Sequence, residues 1–383
     1  MSTGGDAVTF MGYVAPPDQL DVSNSNTPAV PDPTNPVGVS YYRGVAILRG
    51  GHVEVTKTNA YSGNNGRAAI LNSAGHVLYT AGNAGNGGTP QPVGVIAGAG
   101  AQLIHPGDRQ PGAPTPVGAF SVTQLGLPAD KVGKDTNFRG LTVFDNVVYL
   151  TKGSGGNGVN TVYFIDTTGH ACPTGVGLPV PGAPLPTSAL SYDPATVQST
   201  GLPTNTCVLR GFPTALKSKT SFPFGIWFAN RTTLYVADEG NGSYTAAAAQ
   251  PTAGLQKWVL ANGSWTLAYT LNAGLDLGTP YTVSGYPTGS NPATGLPWAP
   301  ATDGLRNITG RVNPDGTATI WAVTSTVSGA TDTGADPNRL VAVTDRLAAP
   351  TAAGERFTTV RTARSGEALR GVAVVWAGAG RCW

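Results

Sequence analysis

An all-β fold built from recurring four-stranded antiparallel units is what this sequence predicts, on three observations. The 383 residues include 53 Gly and 31 Pro, together almost twice the usual ~12%, and both residue types weaken helix interiors while favouring turns. Charged residues make up only 11%, the net charge is +2, and 40% of the chain is hydrophobic, which is enough for a core but supplies no single-sign field for nucleic acid. Finally, one two-strand phrase recurs along the chain.

The first half of the phrase is a small apolar strand, usually opened by an Arg; the second half, after a polar turn, is a strand carrying an aromatic. Near the start, VTFMGYV (8–14) matches only the second half, and YYRGVAILRG (41–50) and HVEVTKT (52–58) follow as third and fourth strands. Complete copies are NGRAAILNSAGHVLYTAGNAG (65–85), NFRGLTVFDNVVYLTKGSG (137–155), FPFGIWFANRTTLYVADEG (222–240) and LRNITGRVNPDGTATIWAVTST (305–326). Third strands are expected at NTVYFID (160–166) and RLVAVTD (339–345), and fourth strands at AFSVTQL (119–125) and RFTTVRT (356–362). In GLQKWVLANGSWTLAYTL (254–271) both are joined at Asn262-Gly263, the strongest short hairpin signal, because both central positions of a type I′ turn need positive φ. LRGVAVV (369–375) repeats only the first half.

Repeated four-stranded units without intervening helices read as a β-propeller, here of five or six blades in a single domain over 1–383, with 376–383 as an irregular tail. A sandwich is the runner-up and a β-solenoid is weaker. The residues opening each first strand, Arg67, Arg139, Phe224, Arg306 and Arg370, lie 64 to 85 positions apart, more than the ~40–50 of a common blade. Gly/Pro/Thr-rich insertions at 86–117, 173–204 and 272–302 account for the excess. Either LRGVAVV completes the N-terminal sheet and closes the ring, or an N-terminal piece with further strands is missing.

TLYVADEGNG followed by GLQKWVLANGSWTLAYTL resembles an NHL-type propeller blade. FRGLTVFDNVVYLTKGSGGNGVNTVYFIDTTG and LRNITGRVNPDGTATIWAVTST resemble a set of uncharacterised secreted microbial propeller proteins, over about Val8 to Val375. The resemblance implies fold and export and brings no established chemistry; those relatives carry a secretion signal and further N-terminal strands. No signal peptide is visible at Met1 to Asp6, yet the scarcity of Lys and Glu suits an extracellular protein. Cys172 and Cys207 bracket a Pro-rich excursion that a disulfide would close, which would indicate an oxidising compartment; Cys382 has no obvious partner.

Four groups of residues are candidates for chemistry. Arg67, Arg139, Arg306 and Arg370 would form a partial cationic ring for a carboxylate, phosphate or sulfate, unless Asp135, Asp303 and Glu367 neutralise them. Asp238 and Glu239 in ADEGNG offer hard oxygen donors to Ca²⁺, the one cofactor suggested. Several hydrolases related to the NHL group hold a channel-centred Ca²⁺, but the matching positions of the other repeats here are mostly uncharged and supply no carboxylate. Trp298, in a loop with Tyr281 and Tyr286, suits sugar or peptide contact, whereas Trp227, Trp258, Trp265 and Trp321 are expected to pack between blades. The motifs of α/β-hydrolases, zinc proteases and P-loop enzymes are absent. A monomeric, exported ligand-binding or scaffold propeller is therefore expected, its partner a small molecule, glycan or protein, with neither nucleic-acid binding nor a membrane span. The alternative is a Ca²⁺-dependent hydrolase of lactonase or esterase type.

Overall fold

The computed structural model describes residues 1–30, 35, 37–84, 100–107, 115–128, 137–153, 158–330, 332 and 334–375. The tail 376–383 and Asp135 lie outside the described residues. Strands dominate: the helical pieces among the described residues are one four-residue α-helix, Val197–Thr200, and three short 3₁₀ turns. Among the described residues no helix is long and apolar enough to cross a membrane.

Among the described residues five sheets, antiparallel but for one short strand, make a five-bladed β-propeller. Sheet I is β1 (Val8–Val14), β2 (Tyr42–Arg49) and β3 (His52–Thr58); sheet II is β4 (Gly66–Asn72), β5 (Val77–Gly82), β6 (Ala101–Ile104) and β7 (Pro116–Gly118). Sheet III holds β8 (Leu141–Phe144), β9 (Val147–Lys152), β10 (Thr161–Ile165), β11 (Val176–Gly177) and β12 (Thr206–Leu209), ordered β11-β12-β10-β9-β8 with only β11 parallel to its neighbour. Sheet IV is β13 (Pro223–Asn230), β14 (Thr233–Asp238), β15 (Gly254–Ala261) and β16 (Ser264–Leu271), and sheet V is β17 (Ala301–Val312), β18 (Thr317–Val327), β19 (Arg339–Arg346) and β20 (Thr358–Thr362). By internal contacts the chain divides into two compact units, one with sheets I to III and one with sheets IV and V.

Turn chemistry sets the hairpins. Asn262 and Gly263 take φ 51° and 72° between β15 and β16, as the Asn-Gly pair predicts. Asp145-Asn146 does the same between β8 and β9, at φ 49° and 60°.

Two expectations are corrected and one further strand is found. The segment 119–125 is not a fourth strand: residues 122–125 form a 3₁₀ turn, capped by the Ser121 side chain on Thr123 N and ended by Gly126 at φ 73°. The local cap overrides the β-branched composition, and β7, at the end of the predicted insertion, takes the fourth place. The fourth antiparallel strand of sheet III is β12, which carries Cys207 at the close of the Pro-rich excursion. Residues 369–375 form no strand: Leu369 is gripped by Asn338, whose Oδ1 accepts from Leu369 N at 2.7 Å and whose Nδ2 donates to Leu369 O at 2.9 Å.

In the first unit, Val45 and Ile47 of sheet I pack on Ala69, Leu71, Leu78 and Ile104 of sheet II. Arg43 is fully buried there: it donates to the carbonyls of Ser25 (2.7 Å), Tyr41 (2.8 Å), Tyr61 (3.1 Å) and Asn64 (2.8 Å). Burial lowers its pKa to about 10. In the second unit Tyr235, Leu255 and Leu271 of sheet IV meet Leu305, Ile320, Val341 and Val343 of sheet V. Trp227 stacks on Tyr235, with ring centroids 5.7 Å apart, and Trp258 on Phe212 at 4.0 Å.

A buried ion pair pins the same interface. Lys257 Nζ lies 2.9 Å from Asp345 Oδ2, each side chain 1% exposed. Tyr235 and Tyr269 donate their hydroxyls to the Asp345 carboxylate, and Lys257 also donates to the carbonyls of Arg346 (2.7 Å) and Ala349 (3.3 Å). Burial pushes the Asp345 carboxyl up, but hydrogen bonds from Glu355, the two tyrosines and Lys257 outweigh it and hold the pKa below the usual range. Lys257→Met should therefore cost about 3–5 kcal/mol, because it strands a buried carboxylate; urea unfolding of the variant against wild type measures this.

The predicted disulfide is formed between Cys172 and Cys207, 35 positions apart. Closing that loop in the unfolded chain is worth about 3–4 kcal/mol in the chain-entropy account. Cys172→Ser/Cys207→Ser should lose stability of that order in chemical denaturation, whereas reductant should leave the double variant's unfolding midpoint unchanged.

Candidate functional site

In the second unit, β14 ends in the predicted Tyr-Val-Ala-Asp and delivers two acids to the seam between sheets IV and V. The alternation of β14 sends Leu234 and Val236 to one face and Tyr235 and Ala237 to the other, and all are buried. Asp238 closes the strand fully buried. Its Oδ2 accepts from Phe222 N (2.8 Å), Ser221 Oγ (3.1 Å) and Gln256 Nε2 (3.1 Å), and its Oδ1 accepts from Gly240 N (3.0 Å). Burial raises its pKa even against these donors.

Glu239 is 5% exposed and accepts from Arg306 Nε at 3.1 Å. The Arg306 guanidinium also sits over the Phe224 ring, 5.2 Å from its centroid, so the one repeat that opens with Phe is partnered by the Arg of the next. Asp303, near the start of β17, is fully buried, and its carboxylate accepts from Gly242 N (2.8 Å) and from Gln250 Nε2. Burial, with the charges of Glu239 and Asp238 adding to it, pushes the Asp303 pKa up to about 7.

The three carboxylates meet because the backbones at this seam carry no Cβ. A Cβ on Gly240, which has φ 80°, would fall 2.5 Å from Asp303 Cγ. One on Gly304 would fall 2.4 Å from the Asp238 carbonyl oxygen. Nearby, the Arg306 and Arg370 guanidinium groups flank Gly334, where an added Cβ would lie 2.4 Å and 3.0 Å from their Nη1 atoms.

Of the residues expected from sequence, Asp238, Glu239, Arg306 and Arg370 therefore fall in one neighbourhood. Arg67 and Arg139 belong to the first unit. Arg67 Nη1 donates to Asn137 Oδ1 (2.6 Å) and Phe138 O (3.0 Å), and Arg139 donates its backbone N–H to Thr151 O (2.8 Å). The expected neutralising acids act otherwise. Arg306 pairs with Glu239, not Asp303, and Glu367 pairs with Arg361 at 3.2 Å. Trp298 is half-buried, edge-on to Tyr286 at 6.2 Å, and Tyr286 donates to Asp336, which also accepts from Ser328 Oγ at 2.7 Å.

Sequence reasoning missed Gln250, Gln256 and Gly242 as partners of the acids. The one available signal was Gln256 within the apolar strand GLQKWVLA, at a position the alternation turns inward. Chemically, the seam offers carboxyl oxygen donors, a guanidinium pair and one carboxyl whose pKa is raised to about 7.

No family model matches the chain, and no curated protein matches it. Among solved structures it is similar to a protein from Lactobacillus plantarum, at 10% identity and a TM-score of 0.35, over 84% of this chain and 65% of that one. It is also similar to a GH74 enzyme of Niastella koreensis, at 13% identity and a TM-score of 0.33, over 83% of this chain and 34% of that one. The chain spans less than two thirds of either structure's length.

The Asp303 shift has a signed consequence. Its folded pKa of about 7 lies above the model-compound value of 3.8, so between these values the folded protein binds the proton more tightly than the unfolded chain. Stability should fall by roughly 3 kcal/mol as pH rises from about 4 to 7 and then level off. Asp303→Asn should flatten that slope in urea midpoints measured across the range.

Proposed function

We propose that the chain is an exported, NHL-like β-propeller that acts as a ligand-binding or scaffold protein. The observation that carries this reading is how the acids are used. Glu239 is held by Arg306, and Asp238 accepts from four donors, so both engage the protein's own donors. The disulfide favours an oxidising compartment, and the charge-poor composition agrees with export. The arginines Arg67, Arg139, Arg306 and Arg370 and the half-buried Trp298 are proposed contacts for an anion, glycan or peptide.

A second reading, a Ca²⁺-dependent hydrolase of lactonase or esterase type, draws on the clustering of Asp238 and Glu239 with Asp303, whose pKa is raised in part by the other two charges. Excess buried carboxylate charge attracts a hard cation.

Thermal unfolding with Ca²⁺ or with chelator, beside assays on ester and lactone substrates, separates the two. The binding reading expects the same midpoint in both conditions and no turnover. A site saturated 100-fold over its Kd would instead add about 2.7 kcal/mol of stability. Such a rise, lost in Glu239→Gln and accompanied by hydrolysis, would replace the binding reading with the second. For the aromatic contact, a glycan array should show reduced signal for Trp298→Ala, and unchanged signal removes that residue from the proposal.

A further inference from the structure

Sheet V carries a groove of about 800 Å³ away from the acid seam, inside the ~300–1,000 Å³ range of small-molecule sites. Its floor is the face of β18 to β20 that presents Thr319, Thr344, Thr358 and Ala342. Thr319 and Thr344 are cross-strand neighbours with hydroxyls 3.4 Å apart. Its rim is the loop from β19 to β20, with Arg346, Glu355 and Arg356. Both arginines are exposed. Among the described residues Arg346 has no carboxylate partner, and Arg356 meets only the exposed Asp276, at 3.7 Å, a contact that solvent screens.

Glu355 is the rim's only carboxyl among the lining residues, and it is anchored from below. Its Oε1 accepts from Arg346 N at 3.0 Å. Facing it are Asp345 from β19 and Lys257 from β15; Tyr235 from β14 and Tyr269 from β16 engage Asp345 in turn; Arg346 ends β19 and Arg356 stands on its own loop. Burial first, then Asp345, raises the Glu355 pKa to about 7. In mildly acidic solution the rim therefore presents two guanidinium groups and a neutral carboxyl; above neutrality Glu355 adds a negative charge to the same rim.

We propose that this groove binds an acidic oligosaccharide, its carboxylates meeting Arg346 and Arg356 and its hydroxyls and C–H faces meeting the threonine row. Guanidinium groups take carboxylates through paired charge-assisted hydrogen bonds. Threonine hydroxyls both donate and accept, as sugar hydroxyls require, and their methyls cover ring C–H groups. The proposal rests on the ligand-binding reading and gives it a site and a ligand class.

Calorimetric titration with tetragalacturonate, against neutral maltotetraose, tests it at pH 5.5 and 8.5. Saturable binding of tetragalacturonate is expected at pH 5.5, with none of maltotetraose. Affinity should fall about fivefold or more at pH 8.5 as Glu355 ionises, since uronate carboxylates and arginines keep their charge throughout. Glu355→Gln should bind equally at both pH values, and Arg346→Ala/Arg356→Ala should lose at least tenfold with an unchanged circular dichroism spectrum. No saturable binding at pH 5.5, equal binding of maltotetraose, or an unaffected double-arginine variant overturns the proposal. Tetraglutamate competing with equal affinity overturns it in favour of an acidic peptide. None of these outcomes touches the wider binding reading, which fails separately on the calcium and hydrolysis assays.

Discussion

Face-to-face burial of antiparallel sheets, with no helix to cover them, is the constraint on which the rest of the structure depends. Each sheet must find another sheet for its apolar face, and every polar group caught between them must be paired on the spot. In the second unit that requirement produces the Lys257–Asp345 pair with its two tyrosines, and the four donors around Asp238. In the first unit it produces Arg43, whose guanidinium gathers carbonyls from segments more than thirty residues apart, Ser25 to Asn64. None of these groups gains much net energy from its partners; removing one partner is what costs.

The acid seam and the groove on sheet V follow from the same rule in different ways. At the seam, Gly240 and Gly304 let two backbones approach closely beside the three acids, and burial, with the charges of Glu239 and Asp238 adding to it, raises the Asp303 pKa. Behind the groove, Glu355 adds a hydrogen bond to the Asp345 end of the Lys257–Asp345 pair. Glu355 thus stands at the boundary between a satisfied interior charge and solvent, where a carboxyl is most easily tuned. The seam groups are engaged with one another, whereas the groove's arginines face outward.

Much of the strand frame was legible because the pleat imposes a two-residue period and the turns demand particular residues. The recurring two-strand phrase located β4, β8, β13 and β17, and Asn262-Gly263 located a hairpin. The failures have two causes, one local and one long-range. Residues 119–125 look like a strand by composition, but Ser121 and Gly126 supply a local cap and stop. β12 was hidden because its pairing with β10 is long-range and its flanks read as loop. At the site, Asp238, Glu239 and Arg306 were visible as residue types, yet their partners were not: Arg306 reaches across 67 positions to Glu239, and Lys257 across 88 to Asp345. Such pairings depend on which sheets face each other, which local pattern does not encode.

The Cys172–Cys207 bond has a consequence for how the chain can come apart. The excursion it closes is largely exposed, with Pro and Gly along much of its length and only one short helical turn. Exposed segments of that kind are where proteases cut. A cut there would separate the polypeptide into two pieces, one bearing Cys172 and the other Cys207, still joined through sulfur. The excursion can be nicked without the blades parting company, and the damage would show only once the bond is reduced.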